Sequence, residues 1–369
     1  MLLVLLLLAG SVAYAAPVPA EFIGHVIAAD FRGGSQVVIA DLNKDGRPDI
    51  IALASGKDEL IWFENPSWKR NVIAGDLRRM SNVAARDIDG DGVPELVLAH
   101  EFDDRTANSL GIISVLKHDG DPRQLWKAIE IDRIPSSHRL RWADLFGNGS
   151  KSLVNAPLIG PKPDGKTSLV HYKPGVWMRQ AIPEQSEGAV RGIYITDWDG
   201  DGREDILTAG YTGIHVFRVG KDGAWTRTEL APLPSAAIAA GWLGVKSSAT
   251  RFLAALGTQV FVLRQDSKGK WLQQIVDDTY LDGGAILTAD INGDGSDEII
   301  AGYAGQSRGV NIYYLTGNRT WTKYPVDAGG IAAADCSVAD LNADGKPDMA
   351  CIGSATANLK WYENKGPKK

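Results

Sequence analysis

Carboxylates recur at one spacing in five places along this chain. Asp41, Asn43, Asp45 and Asp49 form the first set, Asp87, Asp89, Asp91 and Glu95 the second. Asp197, Asp199, Asp201 and Asp205 follow, then Asp290, Asn292, Asp294 and Glu298, and finally Asp340, Asn342, Asp344 and Asp348. In every set a glycine comes directly after the third residue, at 46, 92, 202, 295 and 345. Alternate side chains in a tight loop converge on one point, the glycine takes the sharp turn, and a backbone carbonyl completes the shell. That is calcium chemistry, which calls for about six to eight hard oxygens. Without a cation, three or four crowded carboxylates repel one another. The cofactor expected is therefore calcium, up to five structural ions, each pinning a turn. The loops at 87–95 and 197–205 carry four carboxylates and the others three plus an asparagine, so those two are expected to bind most tightly. The competing reading is a plain Asx turn at a strand crossing. It is preferred at 144–152, where Phe146 and Ser152 stand in place of acids.

A repeat must position these loops. The first aspartates fall at 41, 87, 197, 290 and 340, and a worn copy at Asp144 and an acid-free stretch from Gly241 fill the gaps. Seven units of 44 to 57 residues result, a period that belongs to propellers or solenoids. Within the first unit the apolar runs are short and β-rich, at 36–40, 49–53, 59–63 and 68–74. They read as four hairpin-linked strands, A to D. Seven such sheets set radially make an all-β, seven-bladed β-propeller. Trp68, Trp126, Trp177, Trp225, Trp271 and Trp321 open the D strands. The last unit ends near 361–364 without a D strand, while residues 22–30 resemble 68–76. Residues 21–30 are thus expected to supply the outer strand of the seventh blade, making 21–365 one domain. An open solenoid would leave both ends as bare sheet edges.

Residues 1–10 are apolar and lead into Ala13, Tyr14 and Ala15, a small-x-small cleavage pattern. Residues 1–15 read as a secretory signal peptide, so a secreted or periplasmic location is expected. No other apolar run reaches membrane-spanning length. The net charge of −6 argues against a nucleic-acid partner, since nothing offsets phosphate repulsion. Eleven tryptophans and 41 glycines suit a turn-rich β protein. Cys336 and Cys351 flank the last acidic loop, either as a disulfide across a hairpin or as two small buried residues. Zinc-type His-x-x-x-His and Cys-x-x-Cys patterns, a phosphate-cradling glycine loop and a Gly-x-Ser-x-Gly elbow are absent from the sequence.

The acidic phrases resemble the FG-GAP/VCBS repeat superfamily, whose integrin-type propellers bind calcium in such loops. The resemblance covers essentially the whole chain after residue 15. A narrower one rests on the phrases at 64–68, 78–82, 137–144, 155–160 and 330–336. These look like the propeller domain of aldos-2-ulose dehydratase, a lyase acting on ketosugars such as 1,5-anhydrofructose. That family's fungal members carry further cupin-type domains, for which this chain has no room. No catalytic residue is carried over from it.

The remaining candidates come from topology. Acidic loops between strands A and B occupy one face of the disc, so the D–A and B–C connections crowd the other, around the channel mouth. Counting back five from each first aspartate gives Gln36, Asn82, Arg139, Gly192, Ala285 and Asp335. Their neighbours Val37, Val83, Leu140, Ile193 and Ile286 are apolar, an alternation that turns the first series toward the channel. In the His-Arg-x-Arg segment, Arg139 and Arg141 can hold a carboxylate or polarise a ketone, with His138 as acid or base. The structural alternative pairs them with Asp335, Glu101 or backbone carbonyls. His100, Glu101 and Tyr303 complete the catalytic candidates. Arg78, Arg79, Asn82, Arg191, Tyr211 and Asp335 are the substrate-binding ones. Tyr211 and Tyr303 each follow an Ala-Gly step and can stack on a sugar, donate a proton or cap a blade.

Two functions follow. One is a lyase or dehydratase that eliminates from a ketosugar at the channel mouth. The other is a non-catalytic module binding a glycan or a protein, since propellers host both. The mouth residues differ from blade to blade, which favours one asymmetric site and hence the lyase over the non-catalytic module, with a sugar- or glycan-derived small molecule as partner.

Overall fold

The computed structural model describes residues 17–159, 168–183, 189–244, 250–279, 282–317 and 320–367. The segment 1–15, read as a signal peptide, lies outside the described residues. Among these residues twenty-eight strands form seven antiparallel sheets of four, joined A to B to C to D within each blade. The inner A strands are Gly34–Ala40, Asn82–Arg86, Ser137–Ala143, Val190–Thr196, Ala237–Leu243, Gly283–Ala289 and Ala333–Ala339, for blades 1 to 7. The expected seven-bladed propeller is the observed one. No helix among the described residues is long and apolar enough to cross a membrane.

The sequence pattern explains the layering. B strands such as Asp49–Ala54, Glu95–His100, Asp205–Gly210 and Asp348–Gly353 are buried along their whole length. Neighbouring blades cover both faces, so these strands read as continuous apolar runs. Seven apolar clusters fill the seven gaps between blades. In one, Leu60 and Trp62 of blade 1 meet Leu98, Leu116 and Trp126 of blade 2. In another, Ile352 and Leu359 of blade 7 meet Ile50 and Phe63 of blade 1.

That last cluster shows the ring is closed. Strand Ala20–Ala28 pairs antiparallel with Leu359–Pro367 as the D strand of blade 7, and His25 stacks on Trp361 with ring centroids 4.6 Å apart. Deleting residues 17–29 bares a nine-residue sheet edge. It is expected to lower the melting temperature by about 5 °C or more and to cause association visible by light scattering. An unchanged, monodisperse melting profile would deny the strand any closing role.

The A strands are held to one another by side chains. Gln36 brackets Val83, accepting its N–H at 2.7 Å and donating to its carbonyl at 3.1 Å. Asn82 Oδ1 accepts the Leu140 N–H at 2.9 Å, and Asp335 Oδ2 accepts the Val37 N–H at 3.1 Å. These clasps join blades 1 to 2, 2 to 3 and 7 to 1. At the same offset blade 4 has Gly192, where a Cβ would lie 3.1 Å from the Ala237 Cα, so blades 4 and 5 touch directly. Blade 3 has Arg139, which cannot accept an N–H. Within blade 7, Cys336 lies opposite Cys351 on strands A and B, and their sulfurs are bonded.

Candidate functional site

The acidic loops are built alike. The first aspartate accepts backbone N–H groups across the turn: Asp41 from Lys44 at 2.8 Å and Gly46 at 2.9 Å, Asp197 from Gly200 at 2.7 Å and Gly202 at 3.0 Å. The position-6 glycines all have positive φ, between 79° and 90°, where a side chain would be strained. In the worn copy Asp144 still accepts from Gly149 at 2.7 Å. The worn turn keeps one acid and an amide, Asn148, which accepts the Ser150 N–H at 2.9 Å, so it is the further negative charges that call for a different explanation.

The ninth residue supplies one. Asp49, Glu95, Asp205, Glu298 and Asp348 are buried, and each accepts the N–H of position 2 at 2.8 to 3.0 Å. Burial, with nearby loop carboxylates adding, pushes Asp49 up to about 7, Asp205 to about 6 and Glu298 to about 8, and raises Asp348. A buried acid beside other acids is stable in its charged form only with a cation at hand. Ligand oxygens of Asp87, Asp89 and Glu95 all lie within 4.8 Å of one another, as do those of Asp197, Asp199 and Asp205. This donor set of hard oxygens fits calcium.

On the opposite face, Gln36, Asn82, Arg139, Arg141, Arg191 and Asp335 all line one mouth space of about 90 Å³. It leads into a wider channel of about 510 Å³ lined by Trp142, Tyr194, Thr288 and Ser337 among others. Arg139 Nη1 donates to His138 Nε2 at 2.9 Å and to the His138 carbonyl at 3.2 Å. Arg141 Nη1 donates to Asn82 Oδ1 at 3.0 Å and to the Leu140 carbonyl at 2.8 Å. Among the described residues neither guanidinium has a carboxylate at ion-pairing distance, and Asp335 is the acid whose field reaches both. Burial, then Arg141, pulls Arg139 down to about 10, and burial lowers Arg141, yet both stay cationic near neutrality. Burial lifts Asp335 to about 6 even though both arginines pull it down. Burial and then Arg139 hold His138 well below the usual histidine range, so the imidazole is neutral. Arg191 donates to the Tyr211 hydroxyl, with its guanidinium 4.9 Å from the centroid of that exposed ring.

Five expected site residues lie elsewhere. His100 ends a B strand and is buried with Nε2 at 3.0 Å from Ser114 Oγ. Tyr303 is 1% exposed, its hydroxyl 2.6 Å from that of Tyr313, which donates to Asp277 at 2.7 Å. It still belongs to a ladder, opposite Gly309, whereas Tyr211 falls in the turn beyond its strand. The same offset thus gives one buried tyrosine and one exposed one. Glu101 and Arg79 form an ion pair at the rim, with Asp103 3.4 Å from Arg79. Both residues of that pair have positive φ, 52° and 49°, so the ion pair holds two tight turns together. Arg78 is exposed in the same turn and does not line the mouth. Tyr194 and Ser337 were missed, although the alternation that picks out Arg139 reaches them two residues further along their strands.

A family model described as an FG-GAP-like repeat matches residues 41–98 and 290–351. No curated protein matches the sequence significantly. Among solved structures, BBS1N in complex with ARL6DN is similar at 11% identity and a TM-score of 0.59, over 95% of this chain and 98% of that one. An Agrocybe aegerita lectin that specifically recognises non-reducing terminal N-acetylglucosamine is similar at 15% identity and a TM-score of 0.52, over 90% and 94%. At such identities the likeness is one of fold.

Proposed function

Taking the chain as a seven-bladed β-propeller with FG-GAP-like repeats, we propose that it binds a sugar-derived ligand through an acidic group at the channel mouth, on a scaffold braced by calcium. The observation that carries this reading is the pair Arg139 and Arg141. Arg139 stands where other blades place a clasp or bare backbone, Arg141 lies two residues further along the same strand, and among the described residues no carboxylate pairs with either. A cationic pair inside a channel favours an anion, and a planar guanidinium fork matches a carboxylate. The mouth space is about 90 Å³, several times what a single water needs. A carboxylate with a hydroxyl or two enters it, while a whole sugar ring stays above, beside the exposed Tyr211. A lectin of the same fold that recognises a terminal sugar gives this a precedent. The Cys336–Cys351 bond and the apolar amino-terminal run support placing the protein outside the cytoplasm.

A second reading, elimination from a ketosugar, is favoured by Asp335, whose carboxyl sits near 6 beside both arginines. As a base it would take the proton α to the ketone, the arginines would stabilise the enolate, and the β-hydroxyl would leave as water on protonation. His138 is the weaker base, because Arg139 already occupies its Nε2. Incubation with 1,5-anhydrofructose, followed for conjugated-enone absorbance, tests this step.

Calorimetric titration with D-glucuronate, and with D-glucose as the neutral control, tests the binding. Glucuronate is expected to bind and glucose to bind far more weakly. Affinity is expected to be highest near pH 5 and to fall as the pH rises through about 6, where Asp335 ionises and repels the ligand. Equal affinity for both sugars, or tighter glucuronate binding at pH 8, would refute an anion site.

A further inference from the structure

The five complete acidic loops are not equivalent, and the difference lies in strand C. Strand pairing sets one strand-C residue opposite the buried ninth acid of each loop. Registers of Ile50 with Phe63, Leu96 with Leu116, Ile206 with Phe217, Ile299 with Tyr313 and Met349 with Tyr362 each extend by one step. The residues reached are Glu64, Lys117, Arg218, Tyr314 and Glu363.

Their identities follow position 3 of the loop. Where position 3 is aspartate, the facing residue is a base. Lys117 Nζ contacts Asp89 and lies 3.5 Å from Glu95, and Arg218 Nε lies 3.5 Å from Asp199 and 3.6 Å from Asp205. Where position 3 is asparagine, the facing residue is an acid or a tyrosine. Asn43 donates to Glu64 at 3.2 Å and Asn342 to Glu363 at 3.4 Å, while Tyr314 faces the loop of Asn292.

We infer that the strand-C residue sets how far each loop depends on calcium, an inference that rests on the calcium reading above. Lys117 and Arg218 are tethered cations that calcium must displace or tolerate, so the loops at 87–95 and 197–205 are the weak sites. The loops at 41–49, 290–298 and 340–348 have no base opposite the ninth acid, since Arg123 and Lys365 pair with the facing Glu64 and Glu363 instead, and are the tight ones. This reverses the order obtained by counting carboxylates. A unit positive charge about 4 Å from a divalent ion weakens its binding roughly tenfold or more even in a water-like dielectric.

Calcium titration of the purified chain by calorimetry and native mass spectrometry reads the result directly. Wild type is expected to show three tight sites and two at least about tenfold weaker. In the Lys117→Gln/Arg218→Gln double variant the tight class is expected to rise from three to five. The reverse change, Glu64→Lys, is expected to lower it to two, and it keeps the test decisive if the double variant does not fold. Five equal sites in wild type, or an unchanged tight class in both variants, would overturn the inference while leaving calcium binding intact. The absence of any calcium site would overturn the calcium reading itself, and this inference with it.

Discussion

Chelating calcium is expected to lower the melting temperature by roughly 10 °C at pH 8 and by only a few degrees at pH 5. A site filled at about a hundred times its dissociation constant stabilises by about 2.7 kcal/mol, and several such sites add to a shift of that size. The pH dependence comes from the buried ninth acids. Asp49, Asp205 and Glu298 have folded values of about 7, 6 and 8, raised first by burial and then by neighbouring loop carboxylates. A carboxyl raised in this way holds a proton that the unfolded chain has already released. Without calcium its contribution is therefore present at low pH and is lost as the pH climbs through the folded value. Calcium removes that penalty by holding the carboxylates ionised. Scanning calorimetry with and without chelator at both pH values measures the difference. An equal effect at both, or none, would reduce the loops to the Asx turns that the worn copy at Asp144 already shows to be possible.

Replacing Arg141 by leucine is expected to weaken glucuronate binding about 10- to 100-fold, the loss of one charge-assisted hydrogen bond in a partly enclosed site. The same change at Arg79 is expected to leave affinity within about twofold, because that guanidinium is already neutralised by Glu101 and Asp103 at the rim. The pair of variants separates a built site from general electrostatic attraction. Should both weaken binding alike, the mouth would be acting through net charge and not through geometry.

Parts of this arrangement were open to inspection in the sequence for definite physical reasons. Gly46 and its equivalents mark the loops because a side chain is strained at their φ of 79° to 90°, and the steps between them count the blades even where Phe146 has displaced an acid. Residues 22–30 betray their place as an outer strand by resembling 68–76. Other features depend on where a strand stops, which composition does not fix. Tyr211 and Tyr303 share a local phrase, yet one ladder runs a residue longer and buries its tyrosine under the neighbouring blade. Gln36, Asn82 and Asp335 were legible as channel-facing, but not as acceptors for the next blade's N–H, since that needs the spacing between two blades. The same clasp gives Arg139 its meaning, because a donor in that series has no blade to hold.

The pairing of Ala20–Ala28 with Leu359–Pro367 also orders events during synthesis. A ribosome adding about 5 to 20 residues per second releases the first strand long before the strand it pairs with exists. Through that interval the segment has no sheet to join, and the six blades between can each assemble in turn while it waits. The circle becomes continuous only when the final strand emerges, so a truncated product would be left with two loose ends instead of one finished ring.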